Sequence, residues 1–484
     1  MQNPFRNKGS FYIIAGCMLF LSIYCVFLLS LGSFELKKQF ALTLLFQNMW
    51  EHLSNGSLAI DKYLIGQEGF EVNGMTTAYF LPFPSLVRGF LSVFGYGESA
   101  ILSVLLGCLT FFTASLLLWR LIFTSTFKQS SVLNYSSWVL GIVLCTLLSP
   151  MLGMLSFPTP FWEAIVWASA LFLLACVLSV YVLQDDLQNP YALIAFSLVC
   201  GLSLFTRATF SFVTCLLYGL TMMQLILTQI HLGQKLKSVL SNKVLIISSI
   251  IFSTFLGLLL LFNYLKWGNP FEFYPLQYYK MWSEEQKLRY FSHGALNLSR
   301  LPETLSYYFL PVADNFSSTA PFIQMASSAQ FGNSGIFDYR EPRLAISLTE
   351  PIPVLLFLIG LIALPWAIMK RKGKIYLVLM PAAVTSLVPI IFILSIHSLS
   401  IRYAGDFLPA IMLFSLVGLV QICLNIKHTS IKFIRFLLKM MISVLIVLSL
   451  YLSTSGVLQQ DALWKKVFHK WQIPLQIGEV VEFK

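Results

Sequence analysis

Charged side chains are scarce in this sequence, and those at the edges of its apolar stretches form a recognisable set. Glu163 opens one apolar run, Arg207 stands between two others, His397 closes another, and Arg402, Tyr403 and Asp406 open the one that follows. A long connection over 32–97 adds Asp61, Glu68, Glu71 and Arg88. A charge within a membrane span is costly and tends to mark function. Carboxylates and arginines at one membrane surface suit a particular chemistry. A carboxylate can act as general base for an acceptor hydroxyl, and an arginine at the same depth can hold a lipid-linked phosphate and stabilise it as it leaves. These are the physical requirements of glycosyl transfer from a polyprenyl-phosphate sugar, with the phosphate at headgroup level and the prenyl tail between helices.

Each residue also has a plainer role open to it. Asp61 is followed by Lys62 and can pair with it as an ordinary loop carboxylate, and Glu68 and Glu71 read as surface acids. Glu163 lies in a first helical turn, where the helix dipole alone favours an acid. Arg207 and Arg402 can snorkel to lipid headgroups. Asp406 stands four residues after Arg402, the spacing of a helical ion pair, and His397 can be a polar helix end. Other chemistries leave little trace. There is no G-x-x-x-x-G-K-[ST], no H-E-x-x-H and no C-x-x-C, and no constellation that requires a metal or other cofactor. Asp185–Asp186, followed by "LQNP", reads as a turn. The eight cysteines all lie inside apolar runs and read as small buried hydrophobes. Four N-x-S sequons, at Asn55, Asn134, Asn297 and Asn315, are short enough to arise by chance.

The elements that must position these residues are apolar helices. Of 484 residues, 57% are hydrophobic and 11% charged, against roughly 25% charged in a soluble domain. That composition excludes a soluble enzyme, a disordered chain and a disulfide scaffold. Unbroken apolar runs of about 20 residues exclude a β-barrel. The expectation is an all-α polytopic membrane protein with about eleven spans, near 11–31, 98–123, 134–155, 162–184, 190–206, 208–231, 243–264, 350–369, 375–396, 403–425 and 433–455. Lysines and arginines alternate between connections: Arg6, Lys8, Lys128, Lys235, Lys237, Lys243, Lys370, Arg371, Lys372, Lys374, Lys427, Lys432 and Arg435 share one side, while short loops on the other hold little beyond Arg207 and Arg402. The positive-inside rule therefore predicts a cytoplasmic N-terminus and an extracytoplasmic tail over 456–484. The net charge of +11 follows from this topology and gives no reason to expect nucleic acid. The chain reads as one transmembrane domain, 1–484, with two long extracytoplasmic loops over 32–97 and 265–349. Such loops are usually functional. The stretch Gln39–Leu53 suits a helix lying in the interface, and Phe271–Trp282 and Gly332–Gly335 are candidates for an acceptor groove.

A first helix followed by a long loop with an acid and "NGMTTAYFLPFPSLVRGF" resembles the bacterial GT-C glycosyltransferases, in particular the broad group with RgtA/B/C/D-like or mannosyltransferase-like domains. The stretches "FWEAIVWASAL", "GLSLFTRATF", "FNYLKWGNPFEF", "LPETLSYYFLP" and "HSLSIRYAGDFLPAIML" carry the same resemblance over about 55–415. It implies a GT-C-like bundle in a bacterial inner membrane and a polyprenyl-phosphate-linked sugar as donor. It also implies an acid of the first extracytoplasmic loop as base. Carried onto this chain, Asp61 takes that role first and Glu71 second. Arg402 and Arg207 hold the phosphate, with Tyr403 and Asp406 orienting them. The family's acid often stands as a pair directly after the first helix; here Glu35 is early and alone, and Asp61 is followed by Lys62.

The resulting expectation is a glycosyltransferase with Asp61 and Glu71 as catalytic candidates and Arg88, Glu163, Arg207, His397, Arg402, Tyr403 and Asp406 as substrate-binding candidates. The acceptor is a lipid, a glycan or a protein. Two rivals differ in class: a lipid or polysaccharide transporter or flippase, which needs a polar path through the bundle, and a non-catalytic protein of envelope assembly.

Overall fold

The computed structural model describes residues 8–427 except 41, 73, 128–131, 156–157, 186, 276–277, 280–282, 319–322, 327–336, 338, 343 and 371–372, together with a few residues between 444 and 456. The protein is an all-α polytopic membrane protein. Among the described residues, seven helical segments are long and apolar enough to cross a bilayer. They are α1 (Lys8–Leu29), α4 (Ala100–Thr126), α6 (Pro160–Asp185), α8 (Ala208–His231), α9 (Lys243–Trp267), α12 (Pro351–Met369) and a run that begins 3-10 helical over Ile401–Phe407 and continues as α14 (Leu408–Lys427). Three shorter apolar helices among the described residues, α5 (Val132–Cys145), α7 (Pro190–Ser203) and α13 (Met380–Ser395), lie beside them. These ten fall in ten of the eleven windows read from the sequence. The eleventh, 433–455, lies largely outside the described residues.

Two windows differ in detail, and proline accounts for both. The helix expected over 134–155 ends at Cys145, ahead of the Ser149–Pro150 step, and resumes only as a 3-10 turn at Leu152–Met154. Pro150 has no N–H to give the Thr146 carbonyl four residues back, and its ring clashes there, so the helix cannot run on past Cys145. The helix expected over 375–396 is divided into Lys374–Val378 and α13, with Pro381 in the first turn of the second piece, where its missing N–H costs nothing.

Local signals set several helix ends. Ser99 caps α4 by accepting from the Leu102 N–H at 3.1 Å, and Asn242 caps α9 through Val244 at 2.9 Å. Gly268 ends α9 at φ +76°, a left-handed conformation that favours glycine. In the bundle, α6 is buried around most of its circumference and α1 and α9 are peripheral. Helices α12 and α14 meet backbone to backbone. A Cβ on Gly360 would stand 1.9 Å from the Phe414 carbonyl oxygen, and one on Gly418 2.1 Å from that of Leu356. Small residues are the usual means of such close approach where no hydrophobic driving force acts between helices. Hydroxyls on α8 bond across to its neighbours: Thr214 with Ser203 at 3.0 Å, Tyr218 with Ser248 at 3.0 Å, and Thr221 with Ser179 at 2.7 Å.

Both long connections carry short helices. The first holds α2 (Leu45–Ser54), a hairpin of β1 (Phe70–Val72) and β2 (Met75–Thr77), and α3 (Phe83–Ser92). The second holds α10 (Glu284–His293), α11 (Leu301–Phe309) and strand β3 (Tyr339–Arg340). β3 pairs in parallel with β4 (Ser398–Leu399), Tyr339 opposite Ser398 and Arg340 opposite Leu399. This two-residue ribbon ties the second loop to the segment that carries Arg402. The acceptor-groove candidates at 276–277, 280–282 and 327–336 lie outside the described residues.

Candidate active site

The 3-10 segment Ile401–Phe407 is held against α6 by close packing. Gly405 leaves no room for a side chain, since a Cβ there would stand 2.3 Å from Cγ2 of Ile165. Its carbonyl accepts from the Ser169 hydroxyl at 3.0 Å. This seat places Arg402 over the ring of Phe161, with its guanidinium carbon 4.0 Å from the centroid, and Nε donates to the Ser400 hydroxyl at 3.0 Å. Arg402 is buried, and the groups within its electrostatic reach are Glu341, Tyr79, Tyr403 and Glu68. Arg402 stands more than three hundred residues after Glu68 and Tyr79 in the chain, so the cluster exists only in the fold.

Arg207 and Asp406 adjoin it. Arg207 is the extended residue before α8, and its Nε stands 3.2 Å from Oδ1 of the fully buried Asp406. Thr209 donates to the other carboxylate oxygen at 3.4 Å. The sequence spacing suggested that Asp406 would pair with Arg402; it pairs with Arg207 instead. The segment is 3-10 helical there, with about three residues per turn, so i and i+4 do not share a face as they do in an α-helix. The Arg207 guanidinium also lies 5.5 Å over the ring of Tyr403, which links the ion pair to Arg402.

Glu68 is the acid that the first loop delivers to this cluster. As a surface acid it was expected to be solvated; instead it is 4% exposed and accepts from the Tyr279 hydroxyl at 2.7 Å. Phe70, two residues on, anchors the loop in an aromatic nest with Tyr79, Trp267, Tyr274 and Tyr279. Burial pushes the Tyr79, Tyr274 and Tyr279 phenols above their ordinary range, so they are protonated donors. Loop polarity alone gave no sign of this; the aromatic density of "GFEVNGMTTAYF" was the only hint that the segment packs inward.

Asp61 and Glu71 stand differently. The Asp61 carboxylate is 40% exposed and is held by Asn48 Nδ2 at 2.8 Å and His52 Nε2 at 3.2 Å, both presented by one face of α2. Glu71 is about half exposed, with its carboxylate 3.5 Å from the Lys62 ammonium. Lys62 was expected to be available to Asp61.

Arg88 and Glu163 are brought together as a closed pair. Nε and Nη2 of Arg88 meet the two oxygens of Glu163 at 2.8 and 2.9 Å, and the remaining donors reach the carbonyls of Gly97 and Thr43 at 2.9 and 3.1 Å. Both side chains are almost wholly buried. A bidentate pair with its remaining donors satisfied fixes α3 to α6 and positions the site from behind. Arg88→Ala strands a buried carboxylate and is expected to cost about 3 kcal/mol of stability. Thermal unfolding in detergent checks this, and Arg88→Met combined with Glu163→Leu should recover most of the loss.

His397 lies edge-on to Tyr290 of α10 at 4.9 Å between ring centroids. Burial, reinforced by the charge of Arg300, pushes it down to about 4, against a bond to the Ala295 backbone that acts the other way. It is therefore a neutral imidazole at ordinary pH and contributes no positive charge. Among the described residues no three His, Cys, Asp or Glu side chains gather as a metal-holding group. All eight cysteines are free thiols.

No family model matches the sequence, and no curated protein matches it. Among solved structures, the chain is similar to the oligosaccharyltransferase of Archaeoglobus fulgidus. The form tethered to an acceptor peptide containing the NVT sequon aligns with a TM-score of 0.49 at 12% identity, over 96% of this chain and 59% of that one. The oligosaccharyltransferase AglB from Archaeoglobus fulgidus, in complex with an inhibitory peptide and a dolichol-phosphate, aligns with a TM-score of 0.48 at 13% identity, over 98% of this chain and 57% of that one. This chain thus spans less than two thirds of the length of those proteins.

Proposed function

We propose that this protein is an integral-membrane glycosyltransferase of the GT-C type that moves a sugar from a polyprenyl-phosphate carrier to an extracytoplasmic acceptor. The acceptor is a lipid, a glycan or a protein, and the setting is a bacterial inner membrane with the N-terminus cytoplasmic. The observation that carries the reading is the meeting of Arg402, at the start of a membrane-spanning run, with the first long loop: Arg402 stacks on Phe161, Phe161 packs against Phe80 beside Tyr79, and the same loop buries Glu68 under the Tyr279 hydroxyl. A phosphate oxygen beside the Arg402 guanidinium makes a charge-assisted bond in a water-poor setting, where such a bond is strongest. Glu68 then serves as base. The acceptor hydroxyl oxygen attacks the anomeric carbon, the bond from that carbon to the phosphate oxygen breaks, and the polyprenyl phosphate leaves with the electron pair. The hydroxyl proton passes to Glu68, and the anomeric configuration inverts.

Glu68 replaces Asp61 and Glu71 as the candidate base because it alone of the three is buried with Arg402 in reach. Asp61 and Glu71 become supports of the loop. The transporter reading finds less support. The central turns of the seven long helices contain no Asp, Glu, Lys or Arg, and the α8 hydroxyls are closed in pairs with neighbouring helices rather than lining a path. The test is a structure of the protein in nanodiscs with a polyprenyl phosphate. The phosphate is expected beside Arg402, with Glu68 facing the sugar position. A phosphate bound elsewhere, or a polar channel crossing the bundle, overturns the reading.

A further inference from the structure

Glu341 belongs to no motif, yet the backbone at the site is built around it. Its N–H donates to the Leu399 carbonyl at 2.9 Å, and its own carbonyl accepts from the Tyr307 hydroxyl at 3.2 Å. Oε2 accepts from the Ser400 hydroxyl at 2.7 Å and from the Ile401 N–H at 3.1 Å. Ser400 Oγ in turn accepts from Nε of Arg402. One carboxyl oxygen is thus saturated and linked to Arg402 through a single hydroxyl. The other, Oε1, is buried and has no hydrogen-bond partner among the described residues. The residue is 2% exposed.

A buried ionised oxygen with no donor is strongly unfavourable. Charge balance sharpens the point. Among the described side chains, the cluster holds two cations, Arg402 and Arg207, against three carboxyl groups, Glu68, Glu341 and Asp406. Fully ionised, it carries one excess negative charge before any anion arrives. An arriving phosphate adds to that excess. A proton on Oε1 removes the excess and supplies a donor.

We propose that Glu341 meets the donor phosphate as a neutral acid, its Oε1–H donating to a phosphate oxygen beside Arg402. The proposal rests on the reading of Arg402 as the seat of a lipid-linked phosphate. The site then binds phosphate with one charged and one uncharged donor, and the uncharged one does not compete electrostatically with Glu68. Burial holds the Glu341 carboxyl above the ordinary carboxylate range, and the negative charge of Glu68 adds to this, while Arg402 and the bonds from Ser400 and Ile401 oppose it. Tyr307 and Tyr308 of α11 also face it, and Tyr403 and Asp406 stand around Tyr308.

The experiment measures binding of a polyprenyl phosphate to the full chain in nanodiscs between pH 5 and 9, with inorganic phosphate and the matching polyprenol as comparison ligands. A glutamine keeps the acceptor that Ser400 and Ile401 need and presents an N–H where the acid presents O–H. Wild-type binding is expected to be full below the folded-state pKa of Glu341 and to weaken by about tenfold per pH unit above it. Glu341→Gln should bind as tightly as wild type at low pH and lack that decline. Glu341→Ala should bind weakly throughout. The phosphate's own titration is common to all three proteins and cancels in the comparison.

If Glu341→Gln weakens binding as Glu341→Ala does, or shares the wild-type pH profile, the proposal is overturned. If Glu341→Gln does not fold, calorimetry on wild type in two buffers of different ionisation enthalpy decides. Uptake of about one proton beyond the phosphate's own, above the wild-type midpoint, supports the proposal, and no such uptake overturns it. If wild type binds no polyprenyl phosphate, the reading on which the proposal rests fails instead. If inorganic phosphate competes as well as the lipid with the same Glu341 pattern, the neutral-acid donor stands and the lipid assignment falls.

Discussion

Glu68→Gln is expected to lower sugar transfer by about 10³-fold, roughly 4 kcal/mol of barrier, while leaving polyprenyl-phosphate affinity within about threefold. The substitution keeps the size of the side chain and an acceptor for the Tyr279 hydroxyl, so the loop anchored by Phe70 has no reason to move. It removes the capacity to take a proton. A base is needed only as the acceptor oxygen commits to the sugar carbon, so its loss belongs in kcat rather than in donor binding. Asp61→Asn and Glu71→Gln give the contrast. Each acid is substantially exposed and has local partners on α2 or at Lys62, so each change is expected to stay within a few-fold of wild type. Initial rates of the three variants on one donor and acceptor decide among the acids. A strong loss at Asp61 with none at Glu68 returns the base to the residue that the family resemblance favoured.

How much of this was legible in the sequence follows from the range of the interactions involved. Membrane helices announce themselves locally, since a bilayer demands long apolar runs whatever packs beside them. The departures came at Pro150 and Pro381, where a backbone effect cuts an otherwise uniform run. The arginines and Asp406 were identifiable for a related reason: a charge at the edge of an apolar run stands out without knowledge of its partner. Partner choice was not legible. Asp406 joins Arg207, almost two hundred residues away, because the local helix is 3-10 rather than α. Arg88 lay in the first long loop and Glu163 at the start of a span, and nothing short of the fold indicates that they neutralise each other. Glu68 and Glu341 were hidden most deeply. Both stand in polar loop sequence, where an acid is normally solvated, and both are buried by contacts with distant segments, Glu68 by Tyr279 and Glu341 by the Ser400–Ile401 backbone.

Arg402→Ala is expected to weaken polyprenyl-phosphate binding by about 10³-fold, roughly 4 kcal/mol, which is within the range for removing one member of a buried charge pair. The size of the effect follows from the commitments of the other bases described around the site, among them Lys266, whose Nζ donates to the Phe80 carbonyl at 3.0 Å. Arg207 is committed to Asp406, Arg88 to Glu163, and His397 is neutral. Arg402→Lys should recover only part of the loss. A lysine keeps the charge but not the planar face that lies on Phe161 or the fork that can grip two phosphate oxygens. Arg207→Ala should separate from both, because it strands the buried Asp406 carboxylate and so lowers the unfolding temperature as well as affinity. Binding isotherms and thermal melts on the three variants test this together. If Arg402→Ala binds the lipid like wild type while Arg207→Ala loses it without destabilisation, then Arg207 is the phosphate ligand and the Arg402–Phe161 stack is structural. The Ser400 hydroxyl, which takes the Arg402 N–H on one side and gives its proton to Glu341 on the other, supplies an independent check. Ser400→Ala leaves both charged groups in place and cuts the link between them. A site that depends on a fixed Arg402 should lose affinity by several-fold through this change alone.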